Sequence, residues 1–82
     1  MSNTPHELAE EFPDKVAVMS TLKAEDAHFA RLFDEYHEVN RAVHRAETRV
    51  EAISDAAEEE LRRTRMRLKD EIWTMICAAE AA

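Results

Sequence analysis

The chain has 82 residues, which allows one small domain with a modest core. Glycine is absent and proline occurs only at Pro5 and Pro13, so the tight turns of sheets and the glycine loops that cradle phosphates have nothing to be built from. A net charge of -7 weighs against a general affinity for nucleic acid, and Cys77, the only cysteine, excludes a disulfide staple.

In chain order, Thr4-Pro5-His6-Glu7 reads as a helix start. Thr4 is the expected cap, Pro5 the first helical position and Glu7 the far side of a capping box. Pro13 interrupts that helix. A second helical stretch follows from Asp14 to Lys23, with Val16, Met19 and Leu22 on one face and Phe12 joining from across the break. Residues 1–25 thus form a short, Pro-interrupted helical segment. Asp26 is the expected cap of the next helix.

From Phe29 to Ile53, apolar or small residues recur at 3-4 spacing: Phe29, Leu32, Tyr36, Val39, Val43, Ala46, Val50 and Ile53. That is a coiled-coil seam of about three and a half heptads, and it predicts a long helix over 26–53. Ser54-Asp55 is the turn-like pair after it, with a turn over 54–56 and Asp55 capping the last helix. A second seam runs through Ala57, Leu61, Thr64, Leu68, Ile72, Met75 and Ala79, predicting a helix over 57–80. Folded back at the turn, the two seams face each other in one register. Val50 meets Ala57, Ala46 meets Leu61, Val43 meets Thr64, Val39 meets Leu68, and Tyr36 meets Ile72. The expected fold is all-α, a long antiparallel helical hairpin of coiled-coil type behind the N-terminal segment. One continuous helix through Ser54, paired in a long parallel dimer, would keep similar spacing.

The hairpin's open end is apolar over a wide arc. Phe33, Trp73 and Ile76 flank the seam residues Phe29, Leu32, Tyr36 and Ile72, which is more than a two-helix seam covers. Part of this face is expected to lie under Phe12, Val16, Met19 and Leu22. The rest makes Phe29, Leu32, Phe33, Tyr36, Ile72, Trp73 and Ile76 the candidate self-association or partner surface. Met66, Trp73 and Cys77 form a further stripe off the seam.

The run Leu22-Lys23, then Asp26-Ala27-His28-Phe29-Ala30-Arg31-Leu32-Phe33-Asp34-Glu35-Tyr36-His37, resembles the signature of the small YdcH-like bacterial proteins. Leu68-Lys69-Asp70-Glu71-Ile72 matches a second element of that signature. With the spacing between them, the resemblance covers roughly residues 12 to 76. The resemblance implies a short helical protein of coiled-coil type and of bacterial origin. It implies no activity and transfers no catalytic or binding residue.

The charges are laid out in bands. Arg41, Arg45 and Arg49 form a ridge at four-residue spacing, and Arg62, Arg63, Arg65, Arg67 and Lys69 lie beside it in the hairpin register. Acidic residues flank this band on both sides. Glu58 with Arg62, and Glu59 with Arg63, have the favourable acid-first order, and Glu47 and Glu51 can also reach the basic side chains. The first reading of the band is ion pairing along a solvated coiled coil. The alternative is a nucleic-acid contact through Arg41, Arg45, Arg49, Arg62, Arg63 and Arg67, which the acidic flanks and the lack of interleaved aromatics weigh against.

His37 and His44 are seven apart, about 10 Å along a helix, too far for one ion. No metal or other cofactor is expected. Cys77 is expected to be half-buried and unreactive. No residue is a candidate for catalysis, and a helical hairpin offers no small-molecule pocket. The N-terminus lacks a basic region followed by an apolar one, and no apolar run reaches the ~18 residues that span a bilayer. The expected protein is cytoplasmic and non-enzymatic. Its expected partners are itself, as a dimer or tetramer, or another protein.

Overall fold

A computed structural model describes residues 4–48 and 52–82. Helix α1 (Leu8–Glu11) leads into a 3-10 turn at Pro13–Lys15, then α2 (Val16–Glu25), α3 (Ala27–Glu47) and α4 (Asp55–Ala81). The two long helices pack against each other as a hairpin, and α2 lies against both. The whole measures 44 × 27 × 19 Å.

Each long helix starts where a side chain satisfies its free N–H groups. Asp26 Oδ1 accepts from the N–H of His28 at 2.9 Å and of Phe29 at 3.2 Å. Helix α4 is capped by Ser54, whose Oγ accepts from the Ala57 N–H at 3.1 Å. The expected cap, Asp55, is already the first helical residue, while Ser54 holds the extended conformation a cap requires. Helix α3 ends at Glu47, short of the expected Ile53. The Thr48 hydroxyl donates to the His44 carbonyl at 2.9 Å, closing the last turn. Residues 52–54 are non-helical, and Val50 of the expected seam and Arg49 of the expected basic ridge lie outside the described residues.

The first helix begins later than its sequence signals suggest. Pro5 and His6 form a turn, His6 has a positive φ of 64°, and α1 starts at Leu8. The Pro5 and His6 carbonyls are drawn to side chains of α3 instead of a helical turn. Asn40 Nδ2 donates to the Pro5 oxygen at 2.8 Å, and the Tyr36 hydroxyl to the His6 oxygen at 2.6 Å.

The core sits at the open end of the hairpin, beneath α1 and α2. Leu8, Met19, Phe29, Leu32, Tyr36, Leu68, Ile72 and Ile76 form one buried cluster. Phe12, Val18 and Leu22 pack against it from the N-terminal segment. Val16, expected on that inner face, points outward instead. The seam also differs at one step: Asn40 is fully buried, while the expected Val39 is only half-buried. Both positions keep the 3-4 spacing, and the N-terminal turn supplies Asn40 with the partners that burial demands.

Burying an apolar side chain of this size contributes roughly 1.5–3 kcal/mol. Leu8 and Met19 are therefore what fixes the N-terminal segment to the hairpin. Met19→Ala is expected to lower the stability of the whole chain by about 2–5 kcal/mol in urea denaturation. A loss below about 0.5 kcal/mol would show that α2 is not part of the core.

Candidate functional site

Of the seven residues expected on the association surface, five belong to the chain's own core. Phe29, Leu32, Tyr36, Ile72 and Ile76 are all buried beneath the N-terminal segment. Phe33 is half-buried and tilted against Phe29, with the Lys23 ammonium 4.1 Å from its ring centre. Trp73 is different: it stays 41% exposed. Its ring stacks on Phe12, with centroids 5.0 Å apart and planes 27° apart. Met66, on the same side of α4, is 66% exposed. Cys77 continues the stripe and is exposed, in contrast to the expected half-burial, because it lies away from the Leu68–Ile72–Ile76 face. A shallow hollow on α4 is lined by Arg63, Met66, Arg67, Asp70, Glu71 and Thr74.

A polar clasp holds the N-terminal turn in place, and Asn40 is its centre. Its Nδ2 donates to the Pro5 carbonyl and, at 2.9 Å, to Glu7 Oε1. Its Oδ1 accepts from the Arg65 guanidinium at 3.0 Å, linking α3 to α4. Glu7 Oε2 lies 2.9 Å from His37 Nδ1. Glu11 meets Lys69 at 2.5 Å, and Lys15 meets Glu80 at 2.9 Å. Among the described residues no buried side-chain nitrogen or oxygen lacks a partner. Sequence reasoning passed over Asn40 and gave Arg65 only a place in the basic band. The available signal was a polar residue at seam spacing between Tyr36 and Val43.

Glu11, Tyr36, Lys15 and Arg62 titrate away from their ordinary values. The hydrogen bond from Lys69 holds the Glu11 carboxyl below its ordinary value against the opposing effect of burial. Burial pushes the Tyr36 phenol up to about 12, with the nearby Glu11 charge acting the same way. The hydrogen bond to Glu80 raises Lys15, and the bond to Glu47 raises Arg62.

The basic band is largely tied to the chain's own carboxylates. Arg62 bonds Glu47 across the hairpin at 2.9 Å and also Glu58. Arg63 pairs with Glu59 at 3.6 Å and Arg67 with Glu71 at 3.1 Å. Arg45 also has an interaction partner, Arg41 is exposed, and Arg49 lies outside the described residues. The cross-hairpin bonds from Arg62 to Glu47 and from Arg65 to Asn40 sit in the register set by the apolar seam. Among the described residues, no three His, Cys, Asp or Glu side chains come together as a metal site. No described helix is long and apolar enough to cross a membrane.

The family model described as a protein of unknown function (DUF465) matches residues 29–76. The chain belongs to that family, which includes YdcH and is consistent with the YdcH-like signature. The match covers most of α3, the connection to α4 and most of α4, and leaves out the N-terminal segment. Among curated proteins and among solved structures, none matches the chain.

Two outcomes test the clasp. Removing Asn40 strands Arg65 and the Pro5 carbonyl, so Asn40→Ala is expected to cost about 1–3 kcal/mol. Arg62→Ala, at an exposed pair, is expected to cost under about 1 kcal/mol. Equal losses in the two variants would contradict the clasp. Tyr36 is the only tyrosine, so its titration can be read by ultraviolet absorbance. A phenol raised in the folded state contributes stability that is complete below pH 10 and is lost as pH rises towards 12. Tyrosinate absorbance is expected near pH 12 in the native protein and near 10 in urea. Coincident curves would contradict the burial.

Proposed function

With membership of a family that carries no assigned role as the premise, we propose that the protein is a non-enzymatic interaction module that associates with itself. The contact is made through the Trp73 side of the hairpin's open end. The observation that carries this reading is the contrast at that end. Five of the apolar side chains are sealed by the N-terminal segment, while Trp73, with Met66 beside it, is left in solvent on a helix whose inner face is already used. Tryptophan is among the residues that most often anchor protein contacts.

A non-catalytic role draws support from how the perturbed groups are employed. Glu11, Lys15, Tyr36 and Arg62 each owe their shift to a contact that holds one element of the fold to another, or to burial in the core. Glu11, Tyr36 and Arg62 line one hollow with His6, Arg65, Met66 and Lys69, and the contacts and burial that shift them there are the ones that hold the fold together. The nucleic-acid reading of the basic band gains little from the geometry, because Arg62, Arg63 and Arg67 already face carboxylates of the same chain.

Light scattering after size exclusion, over a wide concentration range, tests the proposal. The wild-type chain is expected to run as a dimer or tetramer. Trp73→Ala is expected to weaken association by about tenfold or more with helical content retained. Phe33→Ala is expected to weaken it less, because Lys23 already covers that ring. A wild-type monomer at every concentration would overturn the reading.

A further inference from the structure

The outer face of α4 carries a second seam that the hairpin does not use. Glu59, Arg63, Met66, Asp70, Trp73 and Cys77 recur at alternating spacings of four and three, and all six are exposed. That is the spacing at which one helix packs along another. Of its charged residues, Glu59 and Arg63 lie before Leu68 and Asp70 after it, and Arg67 and Glu71 border the seam.

We infer that a second copy of this chain docks on this face with its α4 antiparallel, about a two-fold axis beside Leu68. The inference rests on the self-association proposed above and adds its surface and orientation. Charge complementarity selects the orientation. In the antiparallel pair, Arg63 of each copy lies against Trp73 of the other, with Asp70 of that copy beside it. The guanidinium gains a ring face and a carboxylate together. The two Met66 side chains fill the space either side of the axis. A parallel pair would set Arg63 on Arg63 and Asp70 on Asp70, like charge on like.

Arg63 is paired within its own chain, but loosely. The pair between Arg63 and Glu59 is long, at 3.6 Å, with both side chains about two-thirds exposed. Trp73 is already backed by Phe12, so its second face is presented in a fixed orientation. A rigid, preoriented aromatic lowers the ordering cost of a contact. Met66 borders the clasp, but the clasp's bonds run between other residues, so docking leaves the fold undisturbed.

Cysteine cross-linking tests the orientation with the native thiol. In the antiparallel pair, position 59 faces Cys77 of the second copy. Within one chain the same two positions are about 27 Å apart, too far for a bond. Under mild oxidation, Glu59→Cys is expected to give a covalent dimer. The wild-type chain, and Glu59→Cys combined with Cys77→Ala, are expected to give little. Arg63→Glu is expected to weaken association about tenfold, and adding Asp70→Arg is expected to restore it. Wild-type cross-linking through Cys77 alone would overturn the orientation while leaving self-association standing. A dimer by mass with no cross-link in Glu59→Cys would overturn the α4 surface. A monomer by mass would overturn both this inference and the reading it rests on.

Discussion

An apolar arc too wide for two helices to cover governs the shape of this chain. Phe29, Leu32 and Tyr36 on one helix, with Ile72 and Ile76 on the other, can bury each other only along the line where the helices touch. The remaining arc needs a third layer. The N-terminal segment supplies it. Leu8 and Met19 are drawn into the same cluster, and Phe12 closes it at the edge beside Trp73. Without that layer, a chain of this size would have little core beyond its seam.

The layer is held by polar contacts as well as apolar ones, and these act through one buried amide. Asn40 joins the N-terminal turn to α3 through the Pro5 carbonyl and Glu7, and joins α3 to α4 through Arg65. A buried amide with its partners satisfied is demanding, since any shift of register would leave it unpaired. Apolar seams of alanine and valine tolerate sliding, whereas this contact does not. The closing of the open end and the register of the hairpin are thus tied to the same residue. What the closed end leaves outside is a narrow strip, in which Trp73 and Met66 stand against a background of paired charges.

Much of this was legible in the sequence. The seams announced an all-helical hairpin, Asp26 announced its cap, and Glu58 with Arg62 and Glu59 with Arg63 announced their ion pairs by spacing alone. These are local signals, fixed by the 3.6-residue turn. The errors lay where tertiary contacts overrode local ones. Thr4, Pro5 and Glu7 satisfy the rules for a helix start, yet the Pro5 and His6 carbonyls bond α3 and the helix waits for Leu8. Val39 and Asn40 both keep seam spacing, and the partners brought by the distant N-terminus and by Arg65 of α4 favour the polar one. The width of the open end was readable, and so was the need to cover it. How fully the N-terminal segment would do so was not, because that depends on the turn at His6 and on which face of α2 turns inward. Five of the seven residues expected on the partner surface are core, which leaves the strip around Trp73 as the surface proposed.

Amide hydrogen exchange along the intact chain is the most direct measurement of whether the N-terminal segment is part of the core. If it is the third layer, the amides of α2 around Met19 will be protected to the same order as those of α3 around Tyr36, and will open with them. If the α2 amides exchange at the rate of a free peptide while α3 and α4 stay protected, the segment is an appendage. The broad apolar end would then be open to a partner, and a core of three layers closed by Leu8 and Met19 would be contradicted.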